Sequence, residues 1–358
     1  YHAGAGIQRD MRKLLRESQR RGHSVKVFTL RWQGPSTDDV DFLELPIVGF
    51  NRHTQYDNFA RNVLHEVRAG GFDLGVGFNK IAGLDVYYAG DSCYIEKAHS
   101  QRASWYRLLP RFKRFYEAEK AVFGAAHDTE ILMISNLEVP RYHHYYGTPV
   151  SRFHALPPGI ERDRIAPDNR QEIRREMRGE LGRAEDDLVL LFVGSGFKKK
   201  GLDRVLIAVA SLPREIRDRT HLYVIGRDKA EGFERMAMRL GISGLITFFA
   251  EGREDVPRFF FAADALLHPA YDETAGMVII ESMLAGLPAL TTKNCGYARY
   301  MIEHDTGIVL TNPTQDEVNN GLVCLLTSDQ REAWSLRGMA AKEDPALFSL
   351  APEAIDYL

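Results

Sequence analysis

The chain has 358 residues, 44% hydrophobic and 27% charged, a composition that suits a soluble globular protein and a length that favours two α/β domains over one core. Forty-six basic residues against 49 acidic ones leave a net charge of −3, so the chain as a whole makes no case for nucleic acid and any basic surface is local. Cys93, Cys295 and Cys324 are scattered without a CxxC pair, which speaks against a disulfide framework or a zinc site and fits a reducing compartment. No apolar run reaches the roughly 18 residues of a spanning helix and no signal peptide is visible, so a cytoplasmic protein is expected.

The chain opens on Tyr1-His-Ala-Gly4-Ala-Gly6-Ile-Gln8-Arg9-Asp10, a glycine-rich loop running into a helix. An α/β unit normally has a strand before such a loop, and the expectation is that this first strand is missing from the sequence in hand. From Asp10 a helical pattern runs through Met11, Leu14 and Leu15 and ends at Arg21-Gly22-His23, where glycine suits a left-handed cap. Strands are expected at Val25–Thr29, at Asp73–Asn79 and at Ile131–Ser135, an alternation that predicts a doubly wound domain. Asp91, in Ala89-Gly-Asp91-Ser-Cys93-Tyr94 after a strand-like segment, is a candidate for orienting an acceptor.

Residues 97–123 carry Lys97, Arg102, Arg107, Arg111, Lys113 and Arg114 with no acid before Glu117. Trp105, Tyr106, Leu108, Leu109, Phe112, Phe115 and Tyr116 are interleaved at helical spacing, with Pro110 expected to divide two short helices. Basic residues beside aromatics suit an anionic membrane surface, with Trp105, Arg107, Arg111, Lys113 and Arg114 facing it. The plain alternative is an amphipathic helix whose apolar side is core.

Leu156-Pro157-Pro158-Gly159-Ile160 reads as a domain junction. The expected division is 1–156, 157–343, and a last segment 344–358 that returns as a helix to the first domain. After a charged stretch with a helix near Glu172–Leu181, the unbroken apolar run Leu188–Val193 predicts a buried parallel strand. Gly194-Ser-Gly196-Phe-Lys198-Lys199-Lys200-Gly201 follows, then a helix Leu202–Ala210. Further strands are expected at Leu222–Ile225, Ile246–Phe249, Ala265–Leu267 and Pro288–Thr292, giving a second Rossmann-like domain. Glycines at 194, 196 and 201 permit close approach of a ligand, and the lysines offer charge for a leaving diphosphate; a solvated basic loop is the competing reading. Arg253, after Gly252, is a candidate for a base pocket or simply holds a turn.

His268-Pro-Ala-Tyr-Asp-Glu273-Thr-Ala-Gly276-Met277-Val-Ile-Ile-Glu281-Ser-Met-Leu-Ala-Gly286-Leu-Pro288 is the most informative stretch. A helix opening near Thr274–Gly276 presents unpaired amides and a partial positive charge, which suit a phosphate. Glu273 lies before that start and Glu281 about two turns inside, where carboxylates can accept hydrogen bonds from sugar hydroxyls.

This order of a glycine loop, Arg-Gly-His-x-Val, Pro-Pro-Gly, Gly-Ser-x-Phe-x-x-Lys-Gly and paired glutamates resembles the retaining glycosyltransferases of family 4. Gly77-Phe-Asn-Lys80, Gly83-Leu-Asp-Val-Tyr87, Asp91-Ser-Cys93-Tyr94, His268-Pro-Ala-Tyr271 and Cys295-Gly-Tyr-Ala298 narrow the resemblance to the lipopolysaccharide core heptose glucosyltransferases. The resemblance implies an α/β GT-B fold, with two Rossmann-like domains facing across a cleft. It also implies transfer of glucose from UDP-glucose to the inner-core heptose of lipopolysaccharide, with anomeric retention, no metal, and a peripheral position on the inner face of the inner membrane.

Carried over to this sequence, the resemblance makes Lys200 and Glu273 catalytic candidates, and Asp91 joins them from its place after a strand-like segment. The resemblance makes Gly6, Asp10, Gly196, Lys199, Lys200, Arg253, Glu273, Thr274, Ala275, Gly276, Met277 and Glu281 the donor-binding ones. Two departures stand out: Ala5 replaces one glycine of an adjacent pair, and Lys199 stands where relatives often carry arginine and its planar fork. The competing functions are another family-4 transferase with a different donor, a sugar-nucleotide epimerase of the same fold, and a non-catalytic sugar-nucleotide-binding module.

Overall fold

The computed structural model describes residues 6–32, 40–100, 102–249, 253 and 255–358. They divide into two compact units, Tyr1–Gly159 with Ser349–Leu358, and Ile160–Phe348. Both are built on parallel sheets covered by helices, the α/β class expected. The expected loop residues Gly4 and Ala5 lie outside the described residues.

In the first unit, β1 (Lys26–Thr29) pairs in parallel with β2 (Asp41–Glu44). A second parallel sheet runs β3 (Val76–Gly77), β4 (Val86–Ala89), β5 (Glu130–Met133) and β6 (Phe153–Ala155) in chain order. Its core is aromatic, with the rings of Phe123 and Tyr142 stacked at 3.6 Å between centroids. The opening helix, Gly6–Arg20, buries Asp10, Leu14 and Leu15. Helix Leu350–Tyr357 belongs to this unit: Leu350 N–H donates to Pro158 O at 3.1 Å, and Arg21 Nη2 donates to Pro352 O at 3.0 Å. Pro110 opens the helix Pro110–Phe123 and separates it from a short 3₁₀ turn at Ser104–Leu108, since proline costs nothing where no helical donor is needed.

The second unit carries six parallel strands: β7 (Leu188–Val193), β8 (Thr220–Ile225), β9 (Ile246–Phe249), β10 (Ala265–His268), β11 (Ala289–Thr292) and β12 (Gly307–Leu310). Their spatial order is β12-β11-β10-β7-β8-β9, so the chain winds one way from β7 and the other way from β10. Leu190, Leu191, Phe192, Leu266 and Leu267 are almost wholly buried, as strands with helices on both faces require. The reversal between β7 and β10 leaves a crevice at the carboxyl ends of those strands, the place where open α/β sheets bind ligands.

Candidate functional site

The two loops that flank this reversal carry the lysines and the first glutamate. After β7 the backbone takes left-handed conformations at Gly194, Gly196 and Gly201 before helix Leu202–Ala210. At Gly201 the requirement is also steric, because a β-carbon there would lie 2.2 Å from the Pro269 carbonyl oxygen. The loop is pinned to the end of β8: Phe197 N–H donates to Asp228 at 2.8 Å, and Arg227 N–H donates to Ser195 Oγ at 3.0 Å. Tyr271 N–H then donates to Lys199 O at 2.9 Å and ties the β7 loop to the β10 loop.

The three lysines have different partners. Lys198 pairs with Asp203 on the following helix, and Lys199 lies 3.5 Å from Asp272. Lys200 folds back across Gly194 and places its ammonium 2.7 Å from Glu273 Oε2, a pair about one-sixth exposed on either side. Burial is the largest influence on Glu273 and opposes its ionisation, but Lys200, His268 and Lys199 together outweigh it and hold the carboxyl below the usual range. Glu273 is fixed through its backbone as well, its N–H donating to Asn294 O at 3.0 Å and its carbonyl accepting from Gly296 N–H at 3.1 Å.

Gly276, at φ +85°, turns the chain into helix Met277–Leu284 with no side chain capping the start. Among the described residues no side chain caps the first-turn amides, and an uncapped helix start attracts an anion. Thr274, Ala275 and Gly276 are buried around this turn, and Met277 is half-buried. Glu281 is buried in the second turn, 3.8 Å from Arg164 Nε, a neighbour 117 positions upstream that no local pattern signals.

Beneath the pair lies His268, fully buried, with Nε2 4.0 Å from Glu273 and neither ring nitrogen hydrogen-bonded. Burial, then Lys200, pushes its pKa down to about 3. An unfolded histidine takes up its proton near 6.5, so the folded state loses stability as pH falls from there towards 3. We expect His268→Gln to remove up to one proton from this linkage, flattening the stability–pH slope by about 1.4 kcal/mol per unit in that window. Urea titrations of both proteins at pH 7 and pH 5 check this; parallel slopes would contradict it.

In the first unit, the sequence-predicted residues cluster at the carboxyl end of β4. Asp10 accepts from Tyr88 Oη at 2.9 Å and lies 3.5 Å from Lys13, and burial raises its pKa against both partners. Gly90 lies under Ile7, where a β-carbon would come within 2.6 Å of the isoleucine side chain. Asp91 is exposed on the next residue, with Tyr142 Oη donating to its carbonyl at 3.3 Å. Gly6, at the start of the opening helix, has open space around its α-carbon.

Arg253 does not have a free guanidinium. It forms a forked pair with Asp255 at 2.7 Å and lies over the rings of Phe249 at the end of β9 and Phe259 in helix Val256–Ala262. Gly252 lies outside the described residues.

The profile of the glycosyl transferases group 1 matches residues 173–339, which span the β7 and β10 loops and the helix after Gly276. The chain is 38% identical over 363 residues to the lipopolysaccharide glucosyltransferase WaaG of Escherichia coli strain K12, covering 100% of this chain and 96% of that protein. The crystal structure of WaaG, a glycosyltransferase involved in lipopolysaccharide biosynthesis, superposes with a TM-score of 0.92 at 37% identity, covering 100% of this chain and 97% of that one. Anabaena HepE in complex with UDP and glucose shares the fold at a TM-score of 0.69 and 16% identity, covering 99% and 96% of the two chains. Whole-length identity to one transferase, together with a profile that falls on the unit carrying the lysine loop and both glutamates, places this chain in the group 1 glycosyl transferases.

Proposed function

We propose that this protein transfers glucose from UDP-glucose to the inner-core heptose of lipopolysaccharide, with retention at the anomeric carbon and without a metal ion. The observation that carries the reading is the Lys200–Glu273 pair beside an uncapped helix start, at the point where the sheet reverses direction. Lys200 and the first-turn amides meet the charge that builds on the β-phosphate as the glycosidic bond breaks, stabilising the transition state more than the bound donor. Glu273, freed from Lys200 by the phosphate, accepts hydrogen bonds from the sugar hydroxyls, and Glu281 accepts them from the ribose. No carboxylate nucleophile is required: the leaving phosphate oxygen takes the proton of the attacking hydroxyl on the same face, and Asp91 orients that hydroxyl.

Lys199, Lys200 and the helix start supply the positive charge that a divalent ion supplies elsewhere, so turnover should be the same with and without a chelator. Loss of activity in chelator, restored by magnesium, would contradict this part. The donor is tested by calorimetry with UDP-glucose, UDP-galactose and GDP-mannose. The proposal expects UDP-glucose to bind tightest and the GDP-sugar not at all, and preference for a GDP-sugar would overturn it.

We also propose that the first unit rests on an anionic membrane surface. No described helix is long and apolar enough to cross a membrane. Trp105 is 63% and Leu108 77% exposed, and Arg107, Arg111, Lys113 and Arg114 are exposed beside them. Phe112, by contrast, is buried and stacks on Tyr116 at 5.7 Å, so the apolar stripe read from sequence divides between core and surface. Each basic residue near the bilayer contributes on the order of 1 kcal/mol. Binding to vesicles should require anionic lipid, weaken with salt, and fall when the four basic residues become glutamine; salt-insensitive binding or none would remove the claim.

A further inference from the structure

Glu119 is fully buried in helix Pro110–Phe123 and sits among donors that all belong to the Asp91 loop or its supports. It accepts from Tyr94 N–H at 2.8 Å and from Ile95 N–H at 3.1 Å, at the start of the short helix that follows the loop. Tyr146 Oη donates to it at 2.7 Å, and Lys80 Nζ lies 2.9 Å away. Lys80 comes from the β3 loop and is itself held by its backbone, its carbonyl accepting from Tyr56 Oη at 2.6 Å. A second buried carboxylate, Glu138, accepts from Cys93 N–H at 2.8 Å and from Arg141 at 2.7 Å. Thus the backbone donors of residues 93, 94 and 95 are all taken by two buried glutamates from different elements, while Asp91 stands exposed two residues before them.

Burying two carboxylates is costly unless each is paired and hydrogen-bonded, and apolar residues of similar volume would serve plain packing as well. A fixed loop position is what these carboxylates add, because backbone N–H groups held by a charged acceptor have little angular freedom. We propose that Glu119, balanced by Lys80 and seconded by Glu138, is a positioning residue that sets Asp91 for the acceptor hydroxyl. The inference rests on the acceptor role given to Asp91 above and extends it to groups that touch no substrate. In Glu119→Gln the amide keeps the volume but replaces one acceptor oxygen with a donor, which faces N–H groups, and removes the carboxylate paired with Lys80 at 2.9 Å, leaving Asp91 as a carboxylate that still acts on it.

A double-mutant cycle tests this, with glucose transfer to heptose-terminated lipopolysaccharide as the readout and UDP affinity as a check that the second unit is intact. Glu119→Gln should raise the acceptor KM and lower kcat, together about tenfold in kcat/KM, with UDP binding unchanged within twofold. Asp91→Ala should cost more, and Glu119→Gln added to Asp91→Ala should cost nothing further, since coupled residues are not additive. Glu138→Gln gives the same cycle from the other side of the loop and serves if the first variant does not fold. Multiplying losses in both cycles, or an Asp91→Ala protein with full transfer, would overturn the inference. A wild-type chain that binds UDP-glucose but transfers nothing would instead refute the function proposed above, and the inference with it.

Discussion

Replacing Lys200 with alanine is expected to lower turnover about 10²-fold or more, the scale of losing one preorganised stabiliser of developing negative charge. The expectation follows from the position of the ammonium. It lies at the topological reversal of the sheet, held there by contact of its methylenes with Gly194 and by its pair with Glu273. In the donor-free protein the lysine neutralises Glu273, so a bound diphosphate exchanges one anionic partner for another and the net gain in ground-state affinity is small. Charge on the leaving phosphate grows only as the bond breaks, which concentrates the loss in kcat rather than in donor affinity. Steady-state kinetics with a parallel calorimetric titration of UDP-glucose separates the two. A variant whose affinity falls as far as its kcat would show that Lys200 binds the donor uniformly.

The two glutamates should part company under the same pair of measurements. Glu273→Ala is expected to spare UDP binding and to reduce transfer by about 10²-fold, because its carboxylate serves the sugar that UDP lacks. Glu281→Ala should weaken UDP itself, since ribose contacts exist in substrate and product alike. Glu281 is buried beside Arg164, so alanine also removes one carboxylate from that guanidinium and leaves it Asp163; Glu281→Gln, which keeps the volume, should weaken UDP in the same direction. Equal losses of UDP affinity at the two positions would contradict this division of roles.

Much of the second unit was legible because its signals are local. The run Leu188–Val193 is a strand with those bounds, and the helix Leu202–Ala210 begins directly after Gly201. The string around Glu273 and Glu281 points to a helix opening near Thr274–Gly276 for the same reason, and the helix begins at Met277 directly after Gly276 at positive φ. Helix Arg52–Ala69 was not read, since its sequence is mostly polar and only Phe59 and Val63 are buried. Its start is set by a capping box in which Asn51 is the cap and Thr54 stands at N3, in place of the Ser/Thr and Glu/Gln that mark such a box in sequence. Strand β12 and the helices Gln315–Thr327 and Arg331–Ala340 carry weaker signals: β12 offers only the short apolar run Ile308-Val309-Leu310 and lies half-buried at the sheet edge.

The site divides along the same line. Lys200 and Glu273 stand out by motif, but that they meet at 2.7 Å depends on the pairing of β7 with β10, which sequence spacing does not state. Glu119 follows a basic-aromatic run and reads as an ordinary solvated helix acid. Only the fold shows it fully buried under the Asp91 loop, accepting hydrogen bonds from Tyr94, Ile95 and Tyr146, which lie 24 to 27 positions away.

Glucosyl transfer with retention leaves a product whose linkage can be read. The protein is incubated with isotopically labelled UDP-glucose and lipopolysaccharide truncated after the inner-core heptoses, and the product is examined by mass spectrometry and by the anomeric coupling of the labelled sugar in NMR. The account predicts a single added hexose joined by an α linkage, the configuration the sugar has in UDP-glucose. A β linkage, or firm UDP-glucose binding with no hexose transferred, would contradict it.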